Sequence, residues 1–244
     1  MELSRNGYAV FDPTAEGRRW VDAARRAATQ SSADPEMRHH NLRHGETWFV
    51  GVDALPNAAD GSVDGVPLDG AWREHVPPLP LHRAQLSIIY PGYPGRDLNE
   101  STAAHRYRRI RQAAHVDGLL PVGAARRRHA REYHAYVLGL PLNPSDRAPT
   151  MVWPGSHRIM QEALSVAIGD SDPFSVDITD AYHAARRNVL DQVQPVALCV
   201  PPGGAFLLHR FALHGTAPWI GAVAPARMIA FFRPEFETAN EWLT

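Results

Sequence analysis

Short apolar runs separated by turn residues dominate the second half of the chain, and they predict β-strands. The predicted strands cover residues 82–90, 132–142, 149–153, 194–200, 205–211 and 226–232, and an earlier one covers 47–52. Turns rich in Pro and Gly follow several of these runs, at 91–95, 154–157 and 201–204. Many short strands bounded by such turns are typical of a β-sandwich or a jelly roll.

Helical spacing of apolar positions is confined to a few segments. The predicted helices cover residues 14–29, 99–113, 158–168 and 177–193. In the first of them, Trp20 and Ala24 share one face and pairs of arginines occupy the other. We expect a single domain, 1–244, in which a jelly-roll core covers about residues 82–234 and residues 1–81 pack on that core.

Two long polar segments carry no clear periodicity. Residues 31–46, which include three histidines, are predicted to be a solvated loop, with a metal-binding tract as the alternative. Residues 53–80 are rich in Gly, Pro and Asp and are predicted to be a long surface loop. Whether that loop covers a pocket or only decorates the surface stays open.

The composition excludes several classes of function. The formal net charge is −1, and all 25 basic residues are arginines, so no overall field favours nucleic acid or an anionic membrane. Cys199 is the only cysteine and lies in an apolar run, where we expect it to be buried. The N-terminal sequence has no signal-peptide pattern, and we expect a cytoplasmic protein. Arginine-rich stretches at 99–113 and 126–131 could hold an anionic substrate, although a solvated face is the simpler interpretation.

The first candidate for chemistry is the sequence His115-Val116-Asp117. Side chains two residues apart leave the same face of a β-strand. An imidazole beside a carboxylate supplies two ligands of the two-His, one-carboxylate triad used by non-haem Fe(II) oxygenases. A third ligand is therefore expected from a later strand.

Two histidines, His209 and His214, could supply the third ligand. They are five residues apart, so they face opposite sides of a regular strand, and only one can be the ligand unless a bulge intervenes. We favour His214, because Thr216 places a hydroxyl on the same face. Arg227 then lies in the last apolar run, where an arginine needs a partner such as a carboxylate if it is buried.

Four motifs together resemble those of the phytanoyl-CoA dioxygenase-like branch of the Fe(II)/2-oxoglutarate oxygenases. They are His115-Val116-Asp117, Trp153-Pro154-Gly155-Ser156-His157, Pro202-Gly203-Gly204 with His214-Gly215-Thr216, and Arg227, and the resemblance covers about residues 82–234. The chain departs from the family at Arg147-Ala148, where the family usually has Asn-Gly, and residues 43–80 match no general family pattern.

The resemblance implies a double-stranded β-helix of the jelly-roll, cupin-like type, mainly β with flanking helices. It also implies that His115, Asp117 and His214 bind Fe(II), and that Arg227 and Thr216 hold the distal carboxylate of 2-oxoglutarate. The implied reaction uses O₂, converts 2-oxoglutarate to succinate and CO₂, and hydroxylates a C–H bond of a small-molecule substrate.

Three further residues receive roles from the same resemblance. Gln85 is a candidate for reaching the cosubstrate, and Trp153 for lining the substrate pocket, with core packing as its alternative. His157 belongs to a structural turn and is not expected to bind metal. Two other functions stay open: a cupin-like metal-dependent isomerase or hydrolase without redox chemistry, and a non-catalytic binding jelly roll.

Overall fold

The computed structural model describes residues 2–244, and within this range short antiparallel strands alternate with flanking helices. The helices are α1 Glu2–Asn6, α2 Ala15–Ala33, α3 Pro35–Asn41, α4 Thr102–Ile110, α5 Ser156–Ile168, α6 Thr179–Gln192 and α7 Ala239–Leu243, with a 3₁₀ turn at Ala71–His75. The strands are β1 Tyr8–Phe11, β2 Leu42–Arg43, β3 Trp48–Gly51, β4 Gln85–Ile89, β5 Leu119–Val122, β6 Arg127–Ala130, β7 Tyr136–Pro141, β8 Thr150–Val152, β9 Val196–Leu198, β10 Ala205–His209, β11 His214–Thr216 and β12 Arg227–Phe232.

These strands form two facing sheets and a separate hairpin. Across residues 2–244, the major sheet has seven strands in the order β1-β10-β7-β12-β4-β3-β2, and the minor sheet has three in the order β11-β8-β9. Strands β5 and β6 pair only with each other. The pairings are antiparallel, and the order of the strands is far from their order in sequence, as a jelly roll requires. The mainly β jelly roll with flanking helices is therefore the fold of this chain.

Strand β12 shows how the major sheet divides its side chains between two faces. Ile229 and Phe231 pack in a cluster with Val152 of the minor sheet, so they point into the space between the sheets. Ala230 and Phe232, one residue out of step, pack on the opposite face. Because side chains alternate along a strand, Arg227 also points between the sheets.

Helix α2 covers the outer face of the major sheet. The Thr14 hydroxyl caps the helix by accepting a 2.9 Å hydrogen bond from the Gly17 amide. Trp20 is fully buried, 6.2 Å from the Phe232 ring, and burying a large apolar side chain stabilises the fold by roughly 1.5–3 kcal/mol. The segment 53–80 packs on the same outer face through Leu55 and Trp72. That segment is thus part of the outer core and lies on the face away from the inter-sheet space.

Helices α5 and α6 form a second layer beside the minor sheet. Their buried residues Met160, Leu164 and Val189 join one cluster with Trp153 and Leu213. The two sheets therefore enclose a central space that has α2 outside one sheet and α5 and α6 outside the other.

Two local predictions are wrong. Residues 31–46 contain the end of α2 and all of α3, because the Asp34 carboxylate caps α3 at the Met37 amide and Pro35 fits the first turn of a helix. Cys199 is exposed rather than buried, because it follows β9 at the edge of the minor sheet. Among residues 2–244, no helix combines the length and the apolar character needed to span a membrane.

Candidate metal centre and anion pocket

Three side chains converge at one end of the space between the sheets. His115 and His214 form an antiparallel bridge, with backbone hydrogen bonds of 2.8 and 3.0 Å between them. Their rings lie 4.6 Å apart, and Asp117 places one carboxylate oxygen 3.0 Å from His115 Nε2 and the other 3.5 Å from His214 Nε2. One ligand atom from each residue lies within 4.8 Å of the others, so the three side chains could hold one metal ion.

The backbone fixes which imidazole nitrogen of each histidine faces the group. The Nδ1 atom of His115 lies 2.8 Å from the Ala113 carbonyl oxygen, and the Nδ1 atom of His214 lies 2.9 Å from that of Ala212. A carbonyl oxygen can only accept, so both Nδ1 atoms carry the proton. Nε2 is therefore the ring atom that each histidine turns toward Asp117, and it is the atom available to a metal ion.

Asp117 has a partner that the sequence analysis missed. The Arg233 guanidinium donates from Nε to Asp117 Oδ2 at 2.6 Å and from Nη1 to Gln85 Oε1 at 2.9 Å. Burial alone would raise the pKa of the Asp117 carboxyl, but the charge of Arg233, together with the contributions of His214 and His115, outweighs burial and holds that pKa well below its usual range. The carboxylate is therefore ionised and oriented.

Gln85, which was predicted to reach a cosubstrate, contacts Arg233 in this structure. Gln85 lies opposite Phe231 of β12, on the inner face of the major sheet. Arg233 could have been found from strand parity, because it follows Arg227 by six residues and so continues the same face of the last strand.

Arg227 is a buried cation without an anion. The residue is only 3% exposed, and within residues 2–244 the one hydrogen bond of its side chain runs from Nη1 to the Thr150 hydroxyl at 3.3 Å. The Nε and Nη2 atoms have no hydrogen-bond partner among the described residues, and burial lowers the pKa of the guanidinium to about 10. Leaving charged donors buried and unpaired is costly, so this position fits a ligand that brings an anion.

Strand pairing connects Arg227 to the triad. Thr150 lies opposite Thr216 in the minor sheet, and His214 lies opposite Val152 in the same ladder. Side chains two residues apart on paired strands share a face, so Thr150, Thr216 and His214 all line one surface. The hydroxyl that Arg227 contacts belongs to Thr150, with Thr216 beside it.

Aromatic residues that the sequence did not single out lie near this arginine. The hydroxyl of Tyr93 is buried, and burial raises its pKa while the nearby guanidinium groups of Arg108 and Arg227 partly oppose the change. The Tyr93 ring packs edge-on against Trp48 at 5.9 Å, and the Trp48 indole donates to the Ser87 hydroxyl at 2.9 Å. Tyr93 comes from a turn, and Trp48 begins β3 inside the strand predicted at 47–52, but neither residue type indicated a site from the sequence alone.

Other predicted residues lie elsewhere. Trp153 is buried in the cluster formed with α5 and α6, on the other side of the minor sheet, which is the core packing that the sequence left open. His157 lies 4.8 Å from His209, and both are held by backbone groups away from the triad.

The arginine-rich stretch at 126–131 is largely occupied by contacts within the chain. Arg127 pairs with the carboxylates of Asp177 and Asp180, and the guanidinium of Arg131 lies 3.6 Å from the centre of the Phe174 ring. These contacts favour the interpretation of a protein surface over that of an anion grip.

No known protein-family model matches this chain, and no curated protein matches it in sequence. Solved structures do match. The chain is similar to the non-haem alpha-ketoglutarate-dependent carbocyclase SnoK from nogalamycin biosynthesis, at 15% identity and a TM-score of 0.54, over 98% of this chain and 87% of that one. It is also similar to EctD from S. alaskensis bound to 2-oxoglutarate and 5-hydroxyectoine, at 18% identity and a TM-score of 0.50, over 96% and 74%.

A further structure of EctD from S. alaskensis, with bound Fe, matches at 17% identity and a TM-score of 0.50, over 95% of this chain and 73% of that one. At such identities the likeness concerns the arrangement of the backbone. The chain therefore shares the jelly-roll fold of these neighbours, as its strand pattern predicted.

Proposed function

We propose that this chain is a non-haem Fe(II)- and 2-oxoglutarate-dependent dioxygenase that hydroxylates a C–H bond of a small molecule, with residues 1–244 acting as one domain. His115, Asp117 and His214 would hold the metal, and Arg227 would receive the distal carboxylate of 2-oxoglutarate. The observation that carries the proposal is the buried Arg227 guanidinium, whose Nε and Nη2 have no hydrogen-bond partner among residues 2–244 and whose Nη1 contacts Thr150 on the surface that His214 also lines. A triad alone would fit many metal enzymes.

The donor set suits the two groups it would bind. Two imidazole nitrogens and one carboxylate oxygen form the facial arrangement that leaves positions free on Fe(II). A guanidinium with two free donors matches the planar, two-oxygen geometry of a carboxylate. The resemblance of the fold to a 2-oxoglutarate-bound EctD structure supports the same pairing.

Fe(II) bound with 2-oxoglutarate and O₂ would supply the oxidation of a C–H bond, with 2-oxoglutarate converted to succinate and CO₂. The residues of the chain would bind and orient the metal and the cosubstrate, and they would exclude water. His115 and His214 present Nε2 because their Nδ1 protons are held by backbone carbonyls. Ile229 and Phe231 provide an apolar lining between the sheets that keeps water away from reactive groups.

The neighbours leave the type of oxidation open within this class, because one is described as a carbocyclase and another holds 5-hydroxyectoine. Hydroxylation is our proposal because Asp117 provides the third protein ligand, which the family resemblance associates with oxygen transfer. Thr216 is proposed to add a hydroxyl contact to 2-oxoglutarate.

The test is a screen of small metabolites with Fe(II) and 2-oxoglutarate, scored by succinate formed only when a substrate is present. We expect at least one substrate class to stimulate succinate release, and His214→Ala to abolish it. A metal-dependent isomerase or hydrolase would instead turn over without 2-oxoglutarate. A binding jelly roll would retain a small molecule without producing succinate.

A further inference from the structure

Asp117 binds one guanidinium through one of its two carboxylate oxygens. The Arg233 Nε atom lies 2.6 Å from Asp117 Oδ2, while Oδ1 lies 3.0 Å from His115 Nε2. The side chains of both partners are largely buried, with 16% of Arg233 and 13% of Asp117 exposed. A short, charge-assisted hydrogen bond in such a place restricts the rotation of the carboxylate.

Arg233 is itself held from two sides. Its Nη1 donates to Gln85 Oε1 at 2.9 Å, and its backbone amide donates to His82 Nε2 at 2.8 Å. Gln85 belongs to β4 in the middle of the major sheet, which is a rigid support. The orientation of the guanidinium is thus fixed by the sheet, independently of Asp117.

We propose that Arg233 is a positioning residue that, braced by Gln85, holds one Asp117 oxygen so that the other is offered to the metal with the two imidazoles. This inference rests on the proposed function only in that a metal binds the triad. Hydrogen bonding of a ligating carboxylate by its surroundings typically accounts for about 10- to 100-fold in metal affinity.

The positive charge of Arg233 also repels a metal cation. This repulsion lowers metal affinity, whereas the positioning of Asp117 raises it. Arg233→Lys separates the two, because lysine keeps the positive charge but lacks the planar fork that reaches Asp117 and Gln85 together. Gln85→Leu separates them in another way, since it leaves Arg233 in place and removes only its brace. A positioning role predicts weaker metal binding in both variants, whereas simple competition for Asp117 predicts binding that is unchanged or tighter.

The experiment is a titration of the metal-free protein with Co(II), without 2-oxoglutarate, followed by the visible ligand-field absorption of the bound ion. We expect Arg233→Lys to weaken Co(II) binding by about 10- to 100-fold and to alter the absorption spectrum, and Gln85→Leu to do the same to a smaller degree. The matched control is Arg210→Lys, because Arg210 is also partly buried and donates from Nε at 2.7 Å, but to the Trp242 carbonyl oxygen. Thermal unfolding of each metal-free variant establishes that it is folded.

Parental affinity and an unchanged spectrum in folded Arg233→Lys and Gln85→Leu would overturn the inference and leave the proposed function intact. Weakened Co(II) binding in these variants, in a protein that never forms succinate, would support the positioning role and contradict the dioxygenase assignment. A parent that binds no Co(II) would overturn both.

Discussion

Two pairs of facing histidines in this protein have nearly the same ring geometry and very different surroundings. The His115 and His214 rings lie 4.6 Å apart at 47°, and the His157 and His209 rings lie 4.8 Å apart at 49°. The first pair has Asp117 between its Nε2 atoms. In the second pair, His157 Nε2 donates to the Ser4 carbonyl oxygen and His209 Nδ1 accepts from the Phe211 amide.

The arginines near the two pairs differ in the same way. Arg210, next to His209, donates from Nε to a backbone carbonyl oxygen, whereas Arg227 leaves Nε and Nη2 unpartnered. Close histidines are therefore not sufficient evidence for a metal site. What distinguishes the candidate site is a set of polar atoms that the chain orients and leaves for a ligand.

The largest expected effect is the difference between His214→Ala and His209→Ala. His214→Ala removes one of three metal ligands, so metal affinity should fall by more than the roughly 100-fold attributed to hydrogen-bond partners of ligands. His209→Ala should leave metal affinity unchanged. Titration with Fe(II) under anaerobic conditions measures both, and a reversed result would assign the third ligand to His209.

Removing the unpaired arginine should weaken 2-oxoglutarate binding without affecting the metal. Hydrogen bonds to charged groups contribute roughly 1.5–3 kcal/mol each, so Arg227→Ala should cost on the order of 2–4 kcal/mol, or about 30- to 1000-fold in affinity. Arg227→Lys should lose less, because it retains the charge. Arg210→Ala is the matched control, and tight 2-oxoglutarate binding by Arg227→Ala would place the carboxylate site elsewhere.

The second histidine pair should make stability depend on pH. Burial, assisted by the charges of Arg210 and His157, lowers the pKa of His209 to about 3. Below about pH 6.5, the usual pKa of histidine in an unfolded chain, the unfolded chain binds a proton at His209 and the folded protein does not. The folded state therefore keeps its full stability above about pH 6.5 and loses stability as the pH falls toward about 3. At pH 5 the free energy of unfolding should be about 2 kcal/mol lower than at pH 7 from this group alone.

The variant His209→Gln checks that pH effect, since it removes the titrating ring. Urea unfolding at pH 7 and pH 5, without metal, should show a smaller loss of stability in this variant than in the parent. Equal losses in the two proteins would mean that His209 titrates normally in the folded state.

The smallest expected effect concerns the paired hydroxyls near Arg227. Thr216→Val should weaken 2-oxoglutarate binding by roughly 10-fold, near the lower end of what one hydrogen bond to a charged group contributes, because Thr216 is only partly buried. Thr150→Val should have less effect, because the Thr150 hydroxyl contacts Arg227 rather than facing an open position. Calorimetric titrations of both variants compare them, and a larger effect at Thr150 would reverse these roles.

The sequence predicted β4, β8 and β12 because their period and their turns are local signals, but it did not predict β11. The expectation that His209 and His214 share one regular strand was wrong, because β10 and β11 belong to different sheets, and Asp117 lies in a turn rather than on a strand. The runs at 82–90 and 226–232 contain β4 and β12, and the motif around His115 lies beside β11 as the order of motifs required. The sequence did not predict α3, because this short polar helix buries no residue and has no apolar period, although Asp34-Pro35 is a good helix start.

Contacts between residues far apart in the chain leave no local pattern from which the sequence could predict them. The Arg233 to Asp117 hydrogen bond joins residues 116 positions apart, and only the folded sheet brings Gln85 to the same guanidinium. For Trp153 the family resemblance suggested a pocket, with core packing as the alternative, and alternation along the chain turns Val152 inward and Trp153 toward α5 and α6.

The most direct test of the central claim is the visible absorption of the protein with Fe(II) and 2-oxoglutarate in the absence of oxygen. A keto acid chelated to Fe(II) gives a weak charge-transfer band, which we expect in the parent and in His209→Ala and not in His214→Ala. Arg227→Ala should reach the same band only at higher 2-oxoglutarate concentrations. Absence of the band in folded, Fe(II)-loaded parent protein would contradict the assignment as a 2-oxoglutarate-dependent oxygenase.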